Sequence, residues 1–159
     1  MPAPLTLQQL KPGEEARAVE LILASFDRFV APDFSPQGVA EFKTYVTVEA
    51  LRGRMESGSV VFTATVSGAL VGVAEVRECR HLCMFFVDPA RQQRGVGRAL
   101  LGKVVEHCAG HPEEPRAVTV NSSPNAVGFY QRMGFVAQDQ EQTRNGIRHL
   151  PMRYDLDSE

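Results

Sequence analysis

Residues 85–98, Phe-Phe-Val-Asp-Pro-Ala-Arg-Gln-Gln-Arg-Gly-Val-Gly-Arg, combine the features that hold an anion. An apolar strand runs into Asp88-Pro89, a polar loop carrying Gly95 and Gly97 follows, and an amphipathic helix is expected to begin at Arg98. Glycine lets the backbone turn tightly without a Cβ, so consecutive N–H groups converge on one point. In the first turn of a helix these groups have no intrahelical acceptor and lie at the positive end of the macrodipole. That arrangement suits a phosphate or pyrophosphate, and Arg91, Arg94 and Arg98 add local positive charge. The same residues also fit a strand-to-helix turn that needs glycine only for its geometry.

Two nucleotide patterns fail here. The dinucleotide fingerprint G-x-G-x-x-G needs a third glycine, and Gly95-Val96-Gly97 is followed by Arg98-Ala99-Leu100. The P-loop G-x-x-x-x-G-K-[ST] is nearly met by Gly97 to Val104, but Val104 replaces the metal-binding hydroxyl and Leu100-Leu101 are core residues. Cys79, His81 and Cys83 alternate along a strand, and His107, Cys108 and His111 follow near a helix end. Structural zinc sites usually take ligands as close C-x₂₋₄-C or H-x₃₋₅-H pairs, and Cys83 and Cys108 sit on apolar stripes where cysteine acts as a small hydrophobe. No metal is expected.

The elements that must position this loop follow from periodicity. Leu5, Leu7 and Leu10 suggest a first strand, and Val19, Ile22, Leu23, Phe26 and Val30 form a helical stripe over 13–30. Ser35-Pro36 reads as an N-cap and first helical proline, opening a helix through Val39, Phe42 and Val46. Thr47 caps a short turn through Leu51 and Met55. The period then changes to two: Val60–Val66, a Ser67-Gly68 turn and Leu70–Arg77 form a hairpin. In the strand His81–Val87, alternation puts Leu82, Met84 and Phe86 on one face and Cys83, Phe85 and Val87 on the other, as in a strand covered on both sides. Helix 98–109, a strand Ala117–Asn121 and a helix from Ser123-Pro124 to Met133-Gly134 follow. A strand from Phe135, an Asn145-Gly146 turn and a last strand close the chain, with Pro151 placing that strand locally at an edge or bulge. The order β-αα-βββ-α-β-α-ββ describes an α+β fold with a mixed, mostly antiparallel sheet of about seven strands flanked by helices.

The chain of 159 residues suits a single domain, and its 43% hydrophobic and 23% charged content are ordinary for a globular protein. A net charge of −2 offers no general attraction to nucleic acid or anionic lipid, so neither nucleic acid nor membrane is an expected partner. Three cysteines, and an N-terminal Met1-Pro2-Ala3-Pro4 unlike a secretory leader, favour the cytoplasm.

Gln92-Gln93-Arg94-Gly95-Val96-Gly97 follows the pattern [Q/R]-x-x-G-x-[G/A] between strand and helix, and Asn125 to Phe135 ends in tyrosine, a few residues, then Gly134-Phe135. With these two motifs in this order, the chain resembles the GNAT superfamily of acetyl-CoA-dependent N-acetyltransferases over Leu5 to Leu156. The resemblance implies one acetyltransferase domain over 1–159 that uses acetyl-CoA as co-substrate, with a small-molecule or peptide amine as acceptor. It also implies that the closing strands can pair between copies, as a homodimer.

The resemblance assigns pyrophosphate binding to backbone N–H groups among Gln92, Gln93, Arg94, Gly95, Val96, Gly97 and Arg98. Charge-assisted hydrogen bonds of this kind contribute about 1.5–3 kcal/mol each. By the same carry-over the backbone of Phe85, Phe86 and Val87 holds the pantetheine arm and polarises the thioester carbonyl; Asn125, close to where relatives carry an asparagine, reads either as a substitute contact to the arm or as a first-turn helix residue. Tyr130 takes the place of the general acid: a phenol of pKa about 10 stays protonated at neutral pH and can donate to a thiolate. Where many relatives carry an asparagine and a strand glutamate before this tyrosine, Ser123 and Val118 stand here. Glu75, on the neighbouring hairpin, is the substitute base, with water as the alternative. Without a base on the strand, a non-catalytic acyl-CoA sensor or scaffold is the rival function. Around the acceptor, Phe29 to Phe34 and Thr143 to His149 are the expected lining, with Phe29, Phe34 and Tyr45 as apolar contacts and Asp33 or Glu141 as partners for a cationic substrate.

Overall fold

A computed structural model describes residues 4–88, 95–112 and 116–157. Its centre is a sheet in the order β1-β2-β3-β4-β5-β8-β6, with β7 paired to β8. The strands are β1 (Leu5–Gln9), β2 (Val60–Val66), β3 (Ala69–Arg77), β4 (His81–Val87), β5 (Ala117–Ser122), β6 (Val136–Ala137), β7 (Gln142–Arg144) and β8 (Ile147–Asp155). All neighbours run antiparallel except β4 and β5.

Helices α1 (Glu15–Phe29), α2 (Pro36–Tyr45) and α3 (Val48–Glu56) supply one layer. Leu10, Ala18, Ile22, Val46 and Leu51 there bury themselves against Val61, Val73 and Met84. Ser35 caps α2, accepting from the Gly38 N–H at 3.1 Å, and Thr47 caps α3, accepting from Ala50 at 3.0 Å. The expected short turn after Thr47 is thus a full helix. On the opposite face α4 (Val96–Ala109) and α5 (Val127–Arg132) cover Phe62, Ala64, Val71, Leu82 and Val87 through Leu100, Leu101, Val104 and Tyr130.

Three further sequence expectations change. Helix α4 starts at Val96, two residues before Arg98, because Gly95 takes φ +77° and lets the chain turn directly into the helix. The Ser123-Pro124 start opens a 3₁₀ turn over Pro124–Ala126, not an α-helix: the Ser123 hydroxyl donates to Asn125 Oδ1 at 2.7 Å and caps nothing. In β4 the alternation of faces breaks. Glu75 pairs with Met84 but Val76 pairs with Leu82, so Cys83 is an extra residue in the ladder. Leu82 therefore joins Phe85 and Val87 on the α4 side, and Cys83 joins Met84 and Phe86 on the other.

The closing segment forms two short strands, β6 and β7, on the same side of β8. Pro151 lies between them, opposite Asn121 of β5, and its carbonyl accepts from Gln138. Its missing N–H falls in the gap after Ala137, the local edge expected for a proline.

Candidate active site

Strands β4 and β5 pair only at His81↔Thr119 and Leu82↔Val120, then part. On its other side β4 stays zipped to β3: Phe86 pairs with Val73, and the Asp88 N–H donates to Val71 O at 2.8 Å. Antiparallel ladders bond alternate residues, so the backbone groups of Phe86 are taken by β3 while those of Phe85 and Val87 turn toward the gap beside β5. Phe86 thus departs from the expected trio of backbone contacts and lends the cleft only its surface. The Ser25 hydroxyl, 2% exposed on the buried stripe of α1, donates to Val87 O at 3.2 Å and braces this end of β4. A polar residue beside Ile22 and Phe26 in an apolar stripe was a readable signal for this role.

The gap opens into a cleft of about 640 Å³. Phe85, Phe86, Val87, Gly97, Asn125 and Tyr130 line it together, drawn from β4, α4, the 3₁₀ turn and α5. At its α4 end the first helical bond among the described residues is Ala99 N–H to Gly95 O at 3.1 Å, with the amides of Val96, Gly97 and Arg98 ahead of it in the first turn. Val96 is buried, so it can offer an anion only its backbone; Arg98 is exposed. A Cβ on Gly97 would lie 3.2 Å from the Phe129 ring, which in turn stacks on Phe85 with centroids 5.5 Å apart. This contact ties the helix start to the splayed strand. Gln92, Gln93 and Arg94 lie outside the described residues.

Tyr130 is 4% exposed, in an aromatic shell of Phe129 and Phe135, each 5.3 Å away between centroids, and Phe85 at 6.2 Å. Burial pushes its phenol pKa above the ordinary value, so it keeps its proton at neutral pH. The geometry therefore joins outward-turned strand amides, a helix N-terminus and a protonated phenol in one cleft.

Glu75 does not join them. It is fully buried on the α1–α3 side and gripped by Arg54, whose Nε and Nη2 donate at 2.9 and 3.0 Å. Tyr45 is likewise absent from the lining; its ring lies 3.6 Å beneath the Arg54 guanidinium carbon. Val118 is in the core.

Phe29, Phe34 and Phe42 line the α1–α2 side of the cleft, with Phe34 and Phe42 both packed on Phe26 at 5.3 and 4.0 Å. Facing them from the β7–β8 turn are Arg144, Arg148 and His149. Asp33 and Glu141 are not open to a cation: Arg148 holds them at 3.5 and 3.1 Å. The charged side chains among the described lining residues are Arg132, Arg144 and Arg148, with His149 beside them. Phe29 and Phe34 of the aromatic wall were legible in the sequence, but Phe42 in place of Tyr45 was not, nor was the basic rim, because it depends on how the closing turn folds back over α2.

An acetyltransferase (GNAT) domain model matches residues 30–156. The chain belongs to the GNAT acetyltransferase family. It is 35% identical to the peptidyl-lysine N-acetyltransferase YiaC of Escherichia coli K12 over 90 residues, 54% of this chain and 59% of that protein. It is also 29% identical to glucosamine 6-phosphate N-acetyltransferase 1 of Oryza sativa subsp. japonica over 103 residues, 63% and 56% of the two. The matches thus span under two thirds of these relatives' length. Among solved structures, a GCN5-related N-acetyltransferase from Rhodopseudomonas palustris superposes with a TM-score of 0.83 at 24% identity, over 98% of both chains. The PaiA N-acetyltransferase of Thermoplasma acidophilum, solved with coenzyme A, gives 0.78 at 15%, over 96% of this chain and 99% of that one. These two likenesses establish the GNAT fold, a mixed, mostly antiparallel sheet flanked by helices. Among the described residues no helix is long and apolar enough to cross a membrane.

Proposed function

We propose that this GNAT domain transfers the acetyl group of acetyl-CoA to an amine whose molecule also bears a carboxylate or phosphate, by direct attack in a ternary complex. The observation that carries the reading is the parting of β4 from β5 beside Tyr130, at the start of α4. Acetyl-CoA supplies the activated acyl group. The amides of Val96, Gly97 and Arg98 hold its diphosphate, Phe85 and Val87 bond its arm, and Asn125 borders it. The amine nitrogen forms the new C–N bond as the C–S bond breaks, and Tyr130 gives its proton to the departing thiolate.

The amine proton needs an acceptor other than Glu75. His149 lines the cleft, and its Nδ1 lies 3.4 Å from Ile147 O, a contact that leaves Nε2 available as a base. The acceptor class follows from charge: with Arg148 held by Asp33 and Glu141, Arg132 and Arg144 disfavour polyamines and attract an anion, while Phe29, Phe34 and Phe42 favour an apolar body. An acceptor of the glucosamine 6-phosphate relative's kind, an amine with a phosphate, fits that rim.

Thiol release from acetyl-CoA, measured against amino acids, sugar-phosphate amines, acidic and basic lysine peptides and polyamines, tests this directly. Turnover is expected to favour the anionic amines. Polyamines as the best acceptors would overturn the acceptor class. Acetyl-CoA binding with no thiol release from any amine would favour the non-catalytic sensor.

A further inference from the structure

Away from the cleft, at the other end of β4, the fold assembles a thiol and two imidazoles. Cys79 in the β3–β4 turn, His107 in the last turn of α4 and His111 just beyond it bring one ligand atom each within 4.8 Å of one another. From this juxtaposition we infer that Cys79, His107 and His111 form a zinc site, with the fourth tetrahedral position open to water.

The spacing fits the ion. A thiolate at about 2.3 Å and an imidazole nitrogen at about 2.0 Å from one tetrahedral zinc lie about 3.5 Å apart. Cys79 Sγ and His107 Nε2 are 3.6 Å apart. His111 is oriented to ligate, since its Nδ1 donates to His107 O at 3.2 Å, a carbonyl partner that fixes the proton on Nδ1 and leaves the Nε2 lone pair for a metal. All of this stands at the C-terminal end of α4, where the helix dipole favours a cation. The nearby guanidinium of Arg116 is engaged by Asp157 and by the carbonyls of His111 and Ala109. Cys108, though adjacent, is a core residue whose thiol burial pushes up to about 12.

The turn itself carries a second, independent sign. Glu78 and Cys79 both hold φ near +55°, closed by Arg80 N–H to Arg77 O at 3.1 Å. Turns whose two central residues both take positive φ favour Asn-Gly, and two other hairpin turns here, Ser67-Gly68 and Asn145-Gly146, do carry glycine. At Cys79 a strained backbone instead presents a sulfur to the two histidines, the kind of outlier that points to a function. A zinc ion here would tie the β3–β4 turn to the far end of the helix whose first turn borders the cleft.

The test uses the full, untagged chain, stripped with chelator and titrated with Co²⁺ alone. The expected result is a thiolate-to-cobalt charge-transfer band saturating at about one equivalent, displaced by Zn²⁺. Cys79→Gly should abolish the band while leaving the apo fold at least as stable, since glycine relieves the positive φ. His111→Asn should weaken Co²⁺ binding at least tenfold. Cys83→Ser and Cys108→Ala should retain the band. No thiolate band in the parent chain, or a band that survives in Cys79→Gly, would overturn the site.

Discussion

Arg54 and Glu75 meet in a two-pronged ion pair, the carboxylate fully buried on β3 and the guanidinium reaching it from the last turn of α3. Arg54 also donates to Tyr45 O at 2.8 Å, so one side chain locks α2, α3 and the sheet together. The pair is structural. Breaking a buried pair leaves an uncompensated charge and costs about 3–5 kcal/mol. Arg54→Ala is therefore expected to lower the unfolding free energy by that amount, read as a lower urea midpoint with an unchanged m-value. Glu75→Gln should lose stability but retain kcat per folded molecule within about threefold; a hundredfold loss of kcat in a folded Glu75→Gln protein would restore Glu75 as a base.

Tyr130→Phe keeps the ring in its shell of Phe85, Phe129 and Phe135 and removes only the hydroxyl. The expected outcome is a fall in kcat of at least about tenfold with acetyl-CoA affinity within about twofold. A general acid works while protonated, and burial raises this phenol's pKa. Tyr130 should thus impose no alkaline loss of kcat below pH ~10. Steady-state kinetics over pH 6–10 check both.

Gly38 and Gly146 hold the rim over the cleft. The Ser35 N–H donates to Gly146 O at 3.1 Å, and a Cβ on Gly38 would overlap that carbonyl oxygen. Gly38→Ala must therefore push the β7–β8 turn off α2 and shift Arg144, Arg148 and His149. KM for the amine acceptor is expected to rise at least about tenfold while acetyl-CoA binding is retained, as read by initial rates and calorimetry.

Glu15 makes folding sensitive to acid. Its carboxylate, 1% exposed, accepts from the Gly13 N–H at 3.1 and 3.0 Å and from Arg52 at 3.4 Å. The Gly13 bond, opposed by burial and aided by Arg52, holds its pKa below the ordinary 4.5. A depressed folded pKa adds stability that is complete above the unfolded value and is lost as pH falls through the folded one. Denaturant melts from pH 7 down to 3 should show that loss below pH ~4.5, and Glu15→Gln should flatten it.

Local spacing carried much of this protein. The apolar stripe of α1, the two-faced β4, the glycines at the start of α4 and Tyr130 on the buried side of α5 all follow from periods of 3.6 and 2 and from where a Cβ is tolerated. With the two motifs, those features sufficed for the GNAT family. Periodicity says which side of an element seeks apolar company; it does not say which partner arrives. Register and packing decided the rest: the extra residue at Cys83 that swaps the faces of β4, the capture of Glu75 by Arg54, the arginine rim folded over α2, and the meeting of Cys79 with His107 and His111. Each joins residues remote in sequence, and only the closed sheet brings them within the few ångströms over which charge and hydrogen bonding act.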